Sequence, residues 1–203
     1  MEWSSILSIV MAMLVAITLP LALRRRKKAG PLKREGLCWH LKETGIKASL
    51  VEKGDDKEKI GLTRASGQKS EGVIKIEDKN IDSINVVSVA SQYGTHYFID
   101  YLVKSPNIMG ERTLKKTRLV RKKAPPLWGK VVAIEWRGDE SLARSLNFDY
   151  RLSDRLLQGD FKGGIEIIPE PKHGYSRIRS TYFELSSELF EAMDIIAKRT
   201  KSW

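Results

Sequence analysis

Thr95–Lys104 reads THYFIDYLVK, and its alternation sets the fold class. Tyr97, Ile99, Tyr101 and Val103 fall on one side of an extended chain; His96, Phe98, Asp100 and Leu102 fall on the other. Successive side chains of a strand point to opposite faces, and β-branched and aromatic residues suit that pleated surface. Working outward, the same period recurs in Ser83–Val89 and in Gly72–Glu77, where Ile74 and Ile76 alternate with Lys75 and Glu77. Ile46–Glu52, Lys59–Thr63, Thr113–Val120 and Lys130–Trp136 bring the expected strands to seven. Gly54-Asp55-Asp56, Ser66-Gly67-Gln68, Asp78-Lys79-Asn80 and Ser105-Pro106-Asn107 supply turn chemistry between them. Breaks this short favour antiparallel neighbours, because a parallel crossover needs a dozen or more residues.

Beyond Trp136 the period changes. Asp139 is placed as an N-cap for a helix that buries Leu142, Ala143 and Leu146. A second short helix over 152–158 buries Leu152 and Leu156. Ile165–Ile168 and Ser176–Ser180 read as a hairpin around the Pro- and Gly-bearing turn 169–175. A last helix, about 187–198, carries the apolar stripe Leu189, Met193, Ile196, Ala197. Acid in its first turn and Lys198, Arg199 and Lys201 at its end suit the helix dipole. The expectation is an α+β domain over 37–203: an antiparallel β-rich layer closed by a C-terminal amphipathic helix acting as a lid. Seven strands followed by a capping helix is similar, in element order alone, to pleckstrin-homology-like domains. The inserted helix–helix–hairpin departs from that plan, and fold analogy supplies no function.

The amino-terminal end has a different character. Trp3–Leu23 holds no charge, and Arg24, Arg25, Arg26, Lys27 and Lys28 follow at once. A helix of that length spans roughly 31 Å, enough for a hydrocarbon core of about 30 Å. A cleaved signal would carry its cations before a shorter apolar core; here only Glu2 precedes the run. Cations beside a span stay on the cytoplasmic side. The sequence therefore predicts a single-pass protein of the cell membrane, with residues 1–23 crossing, the N-terminus outside and the C-terminal domain cytoplasmic. Ser8, Ala12 and Ala16, spaced by four, form a small-residue stripe along which two such helices could pack, with a partner or a second copy.

Charge points to the partner. The chain has 36 Lys+Arg against 25 Asp+Glu; setting aside the five cations at 24–28 and Glu2, the remainder still carries a net +7. Residues 24–36 form a basic juxtamembrane linker that adds Lys33 and Arg34, clustered like segments that grip anionic headgroups. A second run holds Arg112, Lys115, Lys116, Arg118, Arg121, Lys122 and Lys123. A strand cationic on both faces suits an edge or a long hairpin, where lysine blocks unwanted pairing. It also suits an anionic lipid surface or an acidic protein. Nucleic acid is disfavoured, because no stacking aromatic interrupts this run before Trp128.

Catalytic and metal signatures are sparse. Cys38 and His40 lie one residue apart, His96 sits in the aromatic strand and His173 in the Pro/Gly turn. No second cysteine accompanies them and no His-Glu-x-x-His is present. Gly163-Gly164 precedes a strand rather than opening a helix, so it lacks the phosphate-loop context. Glu166, Glu170 and His173 read as a charged hairpin. No cofactor and no catalytic residue is expected. The reading is a membrane-anchored, non-catalytic binding or scaffold module at the cytoplasmic face. Its alternatives are an accessory subunit of a larger membrane complex and a membrane-bound enzyme with an unrecognised site.

Overall fold

The computed structural model describes residues 34–62, 67–111, 113–125, 130–158, 161, 163–181 and 185–202. In chain order the elements are α1 (Arg34–Glu43), β1 (Ala48–Leu50), β2 (Gln68–Ile76), β3 (Ser83–Ser91), β4 (Gly94–Lys104), β5 (Thr117–Ala124) and β6 (Lys130–Arg137). Then come α2 (Glu140–Asn147), α3 (Tyr150–Gln158), β7 (Ile165–Glu170), β8 (Tyr175–Thr181) and α4 (Ser187–Lys201). The strands make one eight-stranded sheet in the order β1-β2-β3-β4-β8-β7-β5-β6, antiparallel throughout.

The β7–β8 hairpin occupies the middle of the sheet, between the β1–β4 meander and the β5–β6 hairpin. The two strands that follow α2 and α3 are the expected C-terminal hairpin, but they are internal to the sheet, a placement the sequence did not indicate.

One face of the sheet carries Ile74, Ile84, Val86, Ile99, Tyr101, Ile167, Ile178 and Trp136, all buried. The four helices bring their apolar sides to this same core: Leu37 and Leu41 from α1, Leu142 and Leu146 from α2, Leu152 and Leu156 from α3, Leu189, Met193 and Ile196 from α4. The lid role expected for α4 holds, and its polar side adds a clamp. Asp194 accepts from Asn80 N (2.6 Å), Ile81 N (3.3 Å) and Asn80 Nδ2 (2.9 Å), tying the helix to the β2–β3 turn.

Three local expectations change. Lys59–Thr63 is not a strand over its described part: Asp56–Lys59 is a 3-10 turn capped by Asp55, which accepts from Lys57 N at 2.8 Å. Residues 51–62 instead cross the sheet face opposite the helices. Asn85 Nδ2 donates to Glu58 O there (3.4 Å). Gly61, at φ +71°, lies so close to the Arg177 guanidinium that a Cβ would sit 2.2 Å from Nε. Alternation of Ile60 and Leu62 imitated a strand because Ile60 is anchored in the interior from a loop.

The second change is α1, which sequence periodicity left unassigned. Its buried residues are only Leu37, Cys38 and Leu41, a thin stripe. Its stop signal is clear in hindsight. Gly45 N donates to Lys42 O (2.9 Å) and Ile46 N to Leu41 O (2.9 Å), with Gly45 at φ +80°. That is a Schellman cap, in which glycine takes the left-handed position and Ile46 closes an apolar contact. Because α1 begins at Arg34, the last three residues of the expected linker are helical. The third change is β1, which is cut to Ala48–Leu50.

Among the described residues no helix is long and apolar enough to cross a membrane. Residues 1–23, where the span is expected, and Ser8, Ala12 and Ala16 within it, lie outside the described residues.

Candidate functional site

The cationic run forms one strand of a projecting arm. β5 meets β7 only at Thr117↔Ile167 and Arg118↔Glu166. It pairs with β6 from Arg118↔Arg137 to Ala124↔Lys130. From Leu119 onward β6 is the only strand partner of β5 among the described residues, and β6 ends the sheet. The register slips between Lys122 and Lys123, leaving Val132 unpaired and exposed. A bulge of this kind twists an edge away from further pairing.

The sequence reading missed how many of these cations already have anions. Lys116 meets Glu166 at 2.8 Å, Lys122 meets Glu135 at 3.0 Å, and Arg137 meets the same Glu135 oxygen at 2.9 Å. Hydrogen bonds from Arg137 and Lys122 push the Glu135 carboxyl down to about 2. On the face opposite the helices, cross-strand register lines up Asn85, Asp100, Arg179, Glu166, Arg118 and Arg137 on six neighbouring strands. Opposite charges facing each other across strands stabilise pairing. No periodicity reveals this row, because its members lie up to 94 positions apart in the chain (Asn85 to Arg179).

At the buried end of the row Asp100 is fully enclosed. Its carboxylate accepts from Arg179 Nε and Nη2, both at 2.7 Å, and lies 3.4 Å from Arg177 Nη1. Arg177 also donates from Nε to Glu170 at 2.9 Å. Arg179 lies over the Phe98 ring, 5.3 Å from its centroid. The charges balance locally, and the cluster braces the sheet.

Lys115, Arg118 and Lys123 are exposed and make no ion pair among the described residues. Arg121 is half-buried; its Nη1 donates to Phe161 O at 3.1 Å and its guanidinium lies over that ring at 5.8 Å. Arg34 is corrected: its side chain is 11% exposed, donates to Val51 O at 3.1 Å and fills the space a Gly72 side chain would take. It secures α1 to the sheet and is not an open surface cation. Arg112 lies outside the described residues, as do Arg24, Arg25, Arg26, Lys27, Lys28 and Lys33.

Two concavities flank β6. A shallow groove of about 830 Å³ runs along Trp136, Gly138, Asn147 and Phe148. Within it Asn147 acts as a surrogate strand: its Oδ1 accepts from Trp136 N (2.8 Å) and its Nδ2 donates to Trp136 O (3.0 Å). A more enclosed cavity of about 330 Å³ lies between the arm and α3.

Among the described residues no three His, Cys, Asp or Glu side chains gather as metal ligands. Cys38 is buried in the core, and His40 Nε2 is 2.7 Å from Leu185 O. His96 and His173 are exposed; Glu166 and Glu170 are engaged by Lys116 and Arg177. Comparison with protein-family models, curated proteins and solved structures returned no match.

Proposed function

We propose that this chain is a membrane-anchored, non-catalytic binding or scaffold module. Residues 1–23 cross the cell membrane once, and the α+β domain meets anionic lipid or an acidic protein at the cytoplasmic face. The observation that carries this reading is the junction at Leu23/Arg24, where an uncharged run of spanning length meets five cations. The arm adds support: among the described residues Lys115, Arg118 and Lys123 have no carboxylate partner, while Lys116, Lys122 and Arg137 do. Each cation held near an anionic leaflet contributes about 1 kcal/mol.

The full chain in lipid nanodiscs tests it. Acetylation of Lys115 and Lys123, followed by peptide mass spectrometry, should slow roughly fivefold in discs containing phosphatidylserine relative to phosphatidylcholine alone, the effect of about 1 kcal/mol per cation. Equal rates in both discs would remove the lipid reading.

A second reading, an accessory subunit of a membrane complex, is favoured by one observation. Phe148 (80% exposed) and Tyr150 (68%) lie two positions apart where α2 gives way to α3. Large apolar side chains exposed in one region mark partner surfaces more often than chance. Co-purification of a stoichiometric partner that Phe148→Ser and Tyr150→Ser release would favour it over the lipid reading.

A further inference from the structure

We propose that the cavity between the β5–β6 arm and α3 receives part of the acyl chain of an anionic membrane lipid, with its headgroup on Arg121 and Lys130. The assignment rests on the membrane reading above and gives it a site.

The cavity, about 330 Å³, is floored by Leu119 and Ile134 of the sheet, Leu156 and Leu157 of α3, and Phe161. That volume lies at the lower end of ligand pockets, which are mostly apolar with a few placed polar groups. Among the described residues Arg121 and Lys130 are the charged side chains that line it, and no carboxylate does.

Arg121 is the telling residue. Five described arginines are half-buried or more: Arg34, Arg121, Arg155, Arg177 and Arg179. Arg34 meets Glu35, Arg155 meets Glu191, Arg177 meets Asp100 and Glu170, and Arg179 meets Asp100. Arg121 alone among them meets no carboxylate among the described residues; its partners there are a carbonyl oxygen and an aromatic ring. A partly desolvated charge is stabilised by an ion of opposite sign and is costly without one. A guanidinium carries five N–H donors in a planar fork suited to phosphate, and one carbonyl occupies only one of them. Lys130, exposed at the start of β6, places a second cation beside the same opening.

The apolar floor is what separates a lipid from a free phosphate, which would gain nothing from five hydrocarbon side chains. The edge of β6 argues against an added peptide strand. Asn147 already occupies Trp136 N and O, and the bulge at Val132 breaks the repeat on which strand addition depends.

The test uses the full chain in phosphatidylcholine nanodiscs. These are doped either with phosphatidic acid carrying a mid-chain diazirine or with the matched phosphatidylcholine probe. Photolysis and peptide mass spectrometry should place the phosphatidic-acid label on Val131, Ile134, Leu156, Leu157 and Phe161, roughly tenfold above the neutral probe. Arg121→Met, which keeps a long side chain on Phe161, and Lys130→Met, at an exposed position, should each cut that label several-fold without changing the label on 1–23. Equal labelling by both headgroups, label confined to 1–23, or label indifferent to both substitutions overturns the proposal. If phosphatidylserine still protects Lys115 and Lys123 in that event, only the pocket assignment falls; if that protection is absent too, the membrane-surface reading falls with it. A third arm adds a short acidic peptide bearing leucine. Arg121-dependent peptide binding without headgroup-selective labelling makes the cavity a peptide site and ends the lipid proposal.

Discussion

Asp100 sits in the strand whose alternation sets the fold, on the face that also carries Phe98 and Leu102. It has no accessible surface, and its two arginines are 7% and 14% exposed at the side chain. Removing one partner of a buried ion cluster strands the others in low dielectric. Asp100→Ala should therefore lower unfolding free energy by about 3–5 kcal/mol. Asp100→Asn, which retains an acceptor, should cost less; chemical denaturation of the two variants checks the order. Glu135 works at the surface, where Arg137 and Lys122 hold its carboxyl down to about 2. A carboxyl depressed by folding stabilises the native state above its ordinary value near 4.5, and that contribution is lost as pH falls toward 2. Wild type should melt slightly above Glu135→Gln at pH 6, and the gap should close by pH 2. A gap that persists at pH 2 would mean that packing, not charge, explains it. Neither partnership was legible locally. Lys116 and Lys122 looked like free surface cations because Glu166 and Glu135 reach them only through strand pairing.

The elements announced themselves unevenly. α2 was readable from its capping side chain, Asp139, which accepts from Leu142 N at 3.1 Å; α4 was readable from its stripe and terminal charges, and the structure adds a cap, Ser186, which accepts from Leu189 N at 3.3 Å. Their apolar stripes are also complete. In α4 Leu189, Met193 and Ile196 are all buried against the sheet. Ile196→Ala should cost about 2–5 kcal/mol, while Lys198→Ala, at an exposed site, should stay within about 0.5 kcal/mol. Thermal melting of the full chain reads both. An unchanged melting temperature in Ile196→Ala, with weakened membrane or partner association, would make α4 an interaction surface instead of a lid. α1 was illegible from periodicity because it buries only a thin stripe. It is held by non-local bonds, Arg34 to Val51 O and His40 to Leu185 O. The arm illustrates the opposite case. Its cationic composition foretold a hairpin at the sheet margin, yet the cavity beneath it needs Leu156 of α3 and Phe161, 35 and 40 residues past Arg121.

At the scale of the molecule, the proposed orientation predicts that a cysteine appended after Trp203 resists an impermeant maleimide in intact cells. It should label once the membrane is opened; labelling in intact cells would overturn the topology and the cytoplasmic placement together. By itself the sequence determined the α+β class, five of the eight strands to within a few residues, both halves of the C-terminal hairpin, and three of the four helices. It could do so because side-chain period, turn residues and caps are properties of a few consecutive residues. Only the tertiary structure decided that β7–β8 lies between β4 and β5, that residues 51–62 cover the second face, and that Arg34 is spent inside the fold. It also decided which cations of the arm are answered by carboxylates and that, among the described residues, Arg121 is not. Strand order and charge pairing are set by contacts between residues tens of positions apart. Such contacts form only when buried area and opposite charge outweigh the entropy of closing the loops between them.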